Sequence, residues 1–254
     1  MKVAICYSGQ LRTGLKALEN QRLFIDVAAD YFLHTWTHNT NKRFVINGAE
    51  ATEVPANIIS AYVAQLKPKA YYVEDPTVLN MHGTNLAWKG LYYSWLKSLE
   101  YRRQYEAALG IKYDVVVKMR PDIIFKPGRK LSAVIKQALR ENAFILENGL
   151  WNPPYSTVVD DVFWAAPTKI MDIASEYYWH LPEHTADPGG GLGAFLTQRD
   201  IAIGRVPDGC YSILRAEADH LSPVADFDKC FELERELYHT IPVANPSGSP
   251  AFYR

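Results

Sequence analysis

Three short stretches carry the residue types that chemistry needs. The first is Ser8-Gly9-Gln10-Leu11-Arg12-Thr13-Gly14, which follows an apolar run and opens a helix-like segment. A loop placed there ends at a helix N-terminus, whose free N–H groups and partial positive charge suit a phosphate. Gly9 lets an anion approach the backbone, and Arg12 offers a two-pronged guanidinium. The stretch is neither a Walker motif nor GxGxxG, and a plain strand-to-helix turn with an exposed arginine reads equally well. The second is Arg120-Pro121-Asp122. A carboxylate in that place holds a divalent cation or a sugar hydroxyl, or it simply ends a strand paired with Arg120. The third is Asp160-Asp161 within STVVDDVFWAAP. One carboxylate beside an acceptor hydroxyl can act as general base, helped by burial and by the adjacent like charge. Successive side chains of an extended chain point opposite ways, so at most one of the two enters a site, and an acidic strand edge is the plain alternative.

Other polar residues give weaker signals. His34, inside FLHTW, reads as a satisfied core histidine or as a site residue. His180, His184, His220 and His239 share no metal-ligand spacing. Trp151, beside Asn152-Pro153-Pro154, is a candidate for stacking on a sugar ring. Cys6, Cys210 and Cys230 are odd in number and lack CxxC spacing, so neither a disulfide framework nor a thiolate zinc site is expected.

For these stretches to converge, the elements around them must bring their ends together. The apolar, β-branched run over 2–7 predicts a buried strand, followed by a helix over 13–27, a strand over 30–36 and a loop over 37–42. A helix over 54–65 and a short strand over 70–73 continue a β-α-β-α-β order, which favours parallel strands covered by helices. The clearest helix spans 84–109, with Leu91, Trp95 and Leu99 spaced by four and Gly110 as its C-terminal cap. It leads into YDVVVKM at 113–119, apolar enough to be buried on both faces. Proline at 121 then ends the pairing. The second half predicts helices over 131–140, 167–178 and 192–199, strands over 143–147, 162–165, 201–206 and 211–215, and an irregular tail from 241.

Composition narrows the function classes. The chain has 254 residues, 48% of them hydrophobic, and a net charge of −1. A protein that grips nucleic acid through its phosphates usually carries a strong basic excess, so no stable nucleic-acid partner is expected. Residues 1–127 hold 16 Lys and Arg against 11 Asp and Glu, and residues 128–254 hold 11 against 17. A modestly basic first half suits phosphate and an acidic second half suits hydroxyl chemistry, although small imbalances of this kind also describe ordinary solvated surfaces. No apolar run reaches the 18–20 residues that cross a bilayer, the start lacks a signal-peptide core, and a cytoplasmic protein is expected. Length and the absence of a linker predict one domain over 1–254.

In combination, VAICYSGQLRTG, DYFLHTW, the long helix before YDVVVKMRPDIIF, and DDVFWAAPTKIMD resemble GT-A type glycosyltransferases of phage, large viruses and bacterial surface-glycan loci. The resemblance covers residues 1 to about 215. It implies a Rossmann-like α/β fold with a mixed, mainly parallel sheet, a nucleotide-binding part over 1–127 and an acceptor part over 128–254. Ser8, Gly9, Gln10 and Arg12 would line the diphosphate pocket of a nucleotide-sugar donor. Asp122 would stand where the family's Asp-x-Asp motif has its last acid, with Mn²⁺ or Mg²⁺ as the cofactor. Arg120 replaces the first acid, which puts metal dependence in doubt and makes Arg120 itself a candidate for neutralising the leaving diphosphate. Asp161 or Asp160 would be the base for a carbohydrate or other hydroxyl acceptor. If the source is viral, the compartment would be the host cytoplasm. Two other readings remain open at this point: a sulfotransferase using a phosphosulfate donor, and a non-catalytic carbohydrate-binding protein of the same fold.

Overall fold

Six consecutive apolar or small residues, Val3–Ser8, form strand β1 and are all buried, as a strand covered on both faces requires. The computed structural model describes residues 1–40, 51–76, 86–147, 162–181, 188–206, 211–214, 216–218 and 220–239. After β1 come α1 (Gly14–Phe24), β2 (Asp30–Trp36), β3 (His38–Thr40), β4 (Ala51–Glu53), α2 (Ala56–Leu66) and β5 (Ala70–Glu74). There follow α3 (Leu86–Leu109), β6 (Val115–Met119), β7 (Ile123–Phe125), α4 (Leu131–Glu141), β8 (Phe144–Glu147) and β9 (Phe163–Pro167). The remainder holds α5 (Thr168–Ser175), a 3-10 segment (Glu176–His180), α6 (Pro188–Thr197), β10 (Ile203–Val206), β11 (Tyr211–Ile213) and α7 (Phe227–His239).

The main sheet has seven strands in the order β10-β8-β9-β6-β1-β2-β5. Every pair is parallel except those made by β9, which runs against both β6 and β8. The expected α/β class with a mixed, mainly parallel sheet is therefore what the chain adopts. One face of the sheet, through Ile5, Tyr7, Val117 and Ile145, packs on α1, α2 and α4. The other, through Cys6, Phe32, Val116 and Trp164, packs on α3, α5 and α6. Period-two alternation along each strand divides the residues between the two cores. At the back of α3, the fully buried Arg102 bonds Glu106 at 2.8 Å and also bonds Asp172, tying α3 to α5.

Several local expectations need correction. Residues 38–40 are not loop: they pair antiparallel with β4 as a two-stranded ribbon. The expected single helix over 167–178 is α5 followed by a tighter 3-10 segment, whereas the expected strand of 162–165 does form, as β9. The segment after Pro121 re-forms a strand, β7, which pairs with β11. Neither β7 nor α7 is among the sequence expectations. Gly110 does follow α3 with φ +62, as a left-handed cap should.

Candidate functional site

Strand order fixes where a ligand site can lie. From β1 the chain moves to β2 and then β5 on one side, and then returns to β6 on the other side of β1. Beyond the carboxyl ends of β1 and β6, the connections diverge and leave a crevice, the preferred ligand position in an open α/β sheet. The loop after β1 carries residues 9–13, and the turn after β6 carries 120–122. Two of the three chemically suggestive stretches thus meet at the switch point.

The meeting is an ion cluster. Asp122 is fully buried. Its Oδ1 accepts a bond from Arg120 Nε at 2.9 Å, and its Oδ2 accepts from Arg120 Nη2 at 2.7 Å and from Arg12 Nη1 at 3.2 Å. The arginine side chains keep 25% (Arg12) and 15% (Arg120) of their surface in contact with solvent. Two guanidiniums converge on one carboxylate, held by bonds that fix the direction of each fork. Arg12 Nε also donates to Gln10 Oε1 at 3.0 Å. The Arg12 backbone is left-handed, with φ +39, and its N–H donates to Asn39 Oδ1 on β3 at 3.2 Å. A non-glycine residue in that conformation stores strain of the sort that gathers at functional sites.

Buried polar residues of α1 hold the β6 turn in place. Gln21 donates from Nε2 to the carbonyls of Pro121 at 2.9 Å and Ile123 at 2.8 Å, and accepts from the Tyr7 hydroxyl at 3.0 Å. Asn20 bonds both the N–H and the C=O of Phe125. Thr13 reaches across to the carbonyl of Leu214, whose N–H in turn donates to the Asp122 carbonyl at 2.8 Å. Gly14 has little room for a side chain: a Cβ there would lie 3.0 Å from Pro121 Cβ and 3.2 Å from the Pro121 carbonyl oxygen, tight enough that the turn would have to give way slightly. The two loops are therefore in direct contact.

Gly9 plays a different part from the one its type suggested. With φ +118, its N–H turns inward to Ser94 Oγ at 2.8 Å and to the His34 carbonyl at 3.3 Å, while Thr35 Oγ1 donates to its carbonyl at 2.8 Å. Both backbone groups are engaged within the protein. Ser8 is buried, and its hydroxyl has no hydrogen-bond partner among the described residues. His34 is a satisfied core histidine: Nδ1 lies 2.9 Å from Ser94 Oγ and Nε2 lies 2.9 Å from Glu74 Oε2. Burial lowers its pKa to about 4 against the opposing pull of Glu74. Beside it, Trp36 and Tyr93 stack with centroids 5.9 Å apart.

Asp160, Asp161, Trp151, His184 and Cys210 lie outside the described residues. Glu147 ends β8 and Val162 precedes β9; because β9 is antiparallel, both stand at the crevice end of the sheet. Cys6 and Cys230 are free and buried. Among the described residues no group of three His, Cys, Asp or Glu side chains could hold a metal ion, and no helix is long and apolar enough to cross a membrane. Sequence reasoning missed Gln21, Asn20, Ser94, Glu74 and Asn39. Gln21 was detectable, since it continues the inward stripe of Ala17, Leu18 and Phe24 on α1 as its one long polar member.

Comparison with models of known protein families gives no match, and comparison with curated proteins gives none either. Among solved structures, the chain is similar to a protein provisionally described as a nucleotide-diphospho-sugar transferase from Desulfovibrio desulfuricans. The identity is 12% and the TM-score 0.45, over 94% of this chain and 96% of that one. It is also similar to a nucleoside-diphosphate-sugar pyrophosphorylase from Vibrio cholerae, with 10% identity and a TM-score of 0.39, over 90% of this chain and 98% of that one.

Proposed function

We propose that this chain is a GT-A-like glycosyltransferase that moves a sugar from a nucleotide-sugar donor to a hydroxyl acceptor on a carbohydrate or other biomolecule. The observation that carries the reading is the cluster of Arg12, Arg120 and buried Asp122 at the switch point between β1 and β6. When the bond between the anomeric carbon and the diphosphate breaks, its electron pair goes to a phosphate oxygen. The growing charge there needs fixed donors, and stabilisation of this kind is usually the largest contribution to catalysis. Arg12 and Arg120 supply it. The acceptor oxygen bonds to the anomeric carbon and gives its proton to Asp161 or Asp160. Gln10 orients Arg12, and Ser8 and Gly9 form the floor of the loop.

Mn²⁺ or Mg²⁺, if bound, would neutralise the same leaving group. The described residues do not fit it at Asp122, because both carboxylate oxygens already accept guanidinium bonds and no cluster of further ligands surrounds them. The reading accordingly gives leaving-group stabilisation to the two arginines.

Calorimetry with a panel of nucleoside diphosphates and nucleotide sugars, with and without Mn²⁺, tests it. We expect binding of at least one nucleoside diphosphate without metal, weakened about tenfold or more in R12A and in R120A, since truncating one partner of a desolvated charge contact costs about 2 kcal/mol or more. No nucleoside diphosphate binding at millimolar concentration would refute the reading. Preference for adenosine 3′,5′-bisphosphate would replace it with sulfuryl transfer.

A further inference from the structure

Behind the proposed diphosphate loop runs an unbroken hydrogen-bonded chain. The Gly9 N–H donates to Ser94 Oγ at 2.8 Å, Ser94 Oγ meets His34 Nδ1 at 2.9 Å, and His34 Nε2 meets Glu74 Oε2 at 2.9 Å. The Tyr93 hydroxyl completes it by donating to Glu74 Oε1 at 3.1 Å. A carboxylate accepts, so in neutral His34 Nε2 carries the ring proton and Nδ1 is an acceptor; the Ser94 hydroxyl receives the Gly9 N–H and has two acceptors for its own proton, Nδ1 at 2.9 Å and the His34 carbonyl at 3.2 Å.

Glutamate, histidine and serine in line suggest an activated nucleophile, but Ser94 is fully buried in α3 with its oxygen occupied, so the set cannot attack a substrate. What it can do is hold Gly9. We infer that Ser94 and His34 are positioning residues that fix the turn at Gly9, and through it the placement of Gln10 and Arg12 at the ligand. The inference rests on the glycosyltransferase reading for the identity of the ligand, though not for the geometry. Neutral His34 suits the role: burial pushes its pKa down to about 4, with Glu74 from β5 and Glu100 from α3 opposing and Lys97 from α3 adding to the shift.

Hydrogen exchange at the Gly9 amide and calorimetry with UDP and GDP, on the full chain and on S94A, H34Q and S98A, test the inference. Ser98 is an equally buried hydroxyl on α3, bonded to the Trp95 carbonyl of its own helix, and controls for loss of a buried hydroxyl. Gly9 exchange is expected to accelerate and nucleotide affinity to fall about five- to tenfold in S94A and H34Q, as loss of one or two hydrogen bonds implies, with neither change in S98A. Wild-type Gly9 protection in S94A, or an equal loss of affinity in S98A, would overturn the positioning role. If the unmodified chain binds neither nucleotide nor any other nucleoside diphosphate, the glycosyltransferase reading falls, and Gly9 exchange in S94A still decides whether the relay holds the loop.

Discussion

Replacing Asp122 by asparagine changes one atom at the centre of the crevice. Asparagine keeps the most bonds by turning its carbonyl oxygen to Nη2 of Arg120 and Nη1 of Arg12, and its NH₂ then faces Arg120 Nε, which has a donor where it had an acceptor. One charge-assisted bond, worth about 1.5–3 kcal/mol, is lost, the other two weaken because their acceptor is now neutral, and the guanidiniums lose their counter-charge. Full burial of both partners would raise the loss to about 3–5 kcal/mol. The arginines here are 15–25% exposed and can turn toward water, so the discounted expectation is about 2–4 kcal/mol. A domain of this size keeps its fold after such a loss, with Tm lower by about 6–12 °C. Urea unfolding at pH 7 measures it, with E141Q, at the exposed Arg140–Glu141 pair, as a control expected to show no measurable change. A D122N stability within 0.5 kcal/mol of the parent, a change typical of a neutral surface substitution, would refute the argument that Asp122 holds the two loops together.

Three further outcomes follow from the same geometry. His34 is neutral and buried in the folded chain with a pKa near 4, but in the unfolded chain it titrates at its ordinary 6.5. Its contribution is complete above pH 6.5 and is lost as pH falls toward 4, about 3 kcal/mol in all; urea titrations at pH 7.0 and 4.5 should show the difference, and H34Q should flatten it. G14A should destabilise by about 1–3 kcal/mol, because the new methyl meets Pro121 Cβ at 3.0 Å, the Pro121 carbonyl oxygen at 3.2 Å and the Tyr62 ring at 3.2 Å; thermal melting checks it. Burial pushes the Cys6 thiol up to about 12, so maleimide labelling followed by mass spectrometry should find Cys6 unmodified in native protein and labelled only after denaturation.

The parallel part of the sheet was legible because its strands are continuous apolar runs broken by strong punctuation. VAICYS, DYFLHTW and VVVKM lie where they were expected, and Gly110 ends α3. Convergence of Arg12 with Asp122 was legible in kind, since parallel strands must align their carboxyl ends, but the double guanidinium clamp was not. Nothing in local sequence says that Arg12 will turn back through a left-handed residue to meet Asp122. His34 stayed ambiguous for a similar reason: its partners Ser94 and Glu74 come from other elements, 60 and 40 residues away. The three-residue strand IIF follows a proline that ends the pairing of β6, and no local pattern marks it because its partner is β11, close to the far end of the chain. The helix α7 has a readable pattern, with Phe227, Cys230 and Glu234 facing inward, yet the buried Glu234 breaks the apolar stripe. Its carboxylate is spent on Ser212 and the Ile213 N–H.

The bond from Thr13 to the Leu214 carbonyl spans 201 residues, and the Arg12–Asp122 pair spans 110. During synthesis at about 5–20 residues per second, Arg12 therefore waits roughly 5–20 s for its carboxylate, and Thr13 waits about twice as long. The nascent chain can assemble β1, β2 and β5 in that interval, but its crevice stays unbuilt until β6 inserts beside β1 and the β11 segment arrives. A ribosome that stalls before then leaves a sheet half with an open β1 edge, which is the state a chaperone would have to shield.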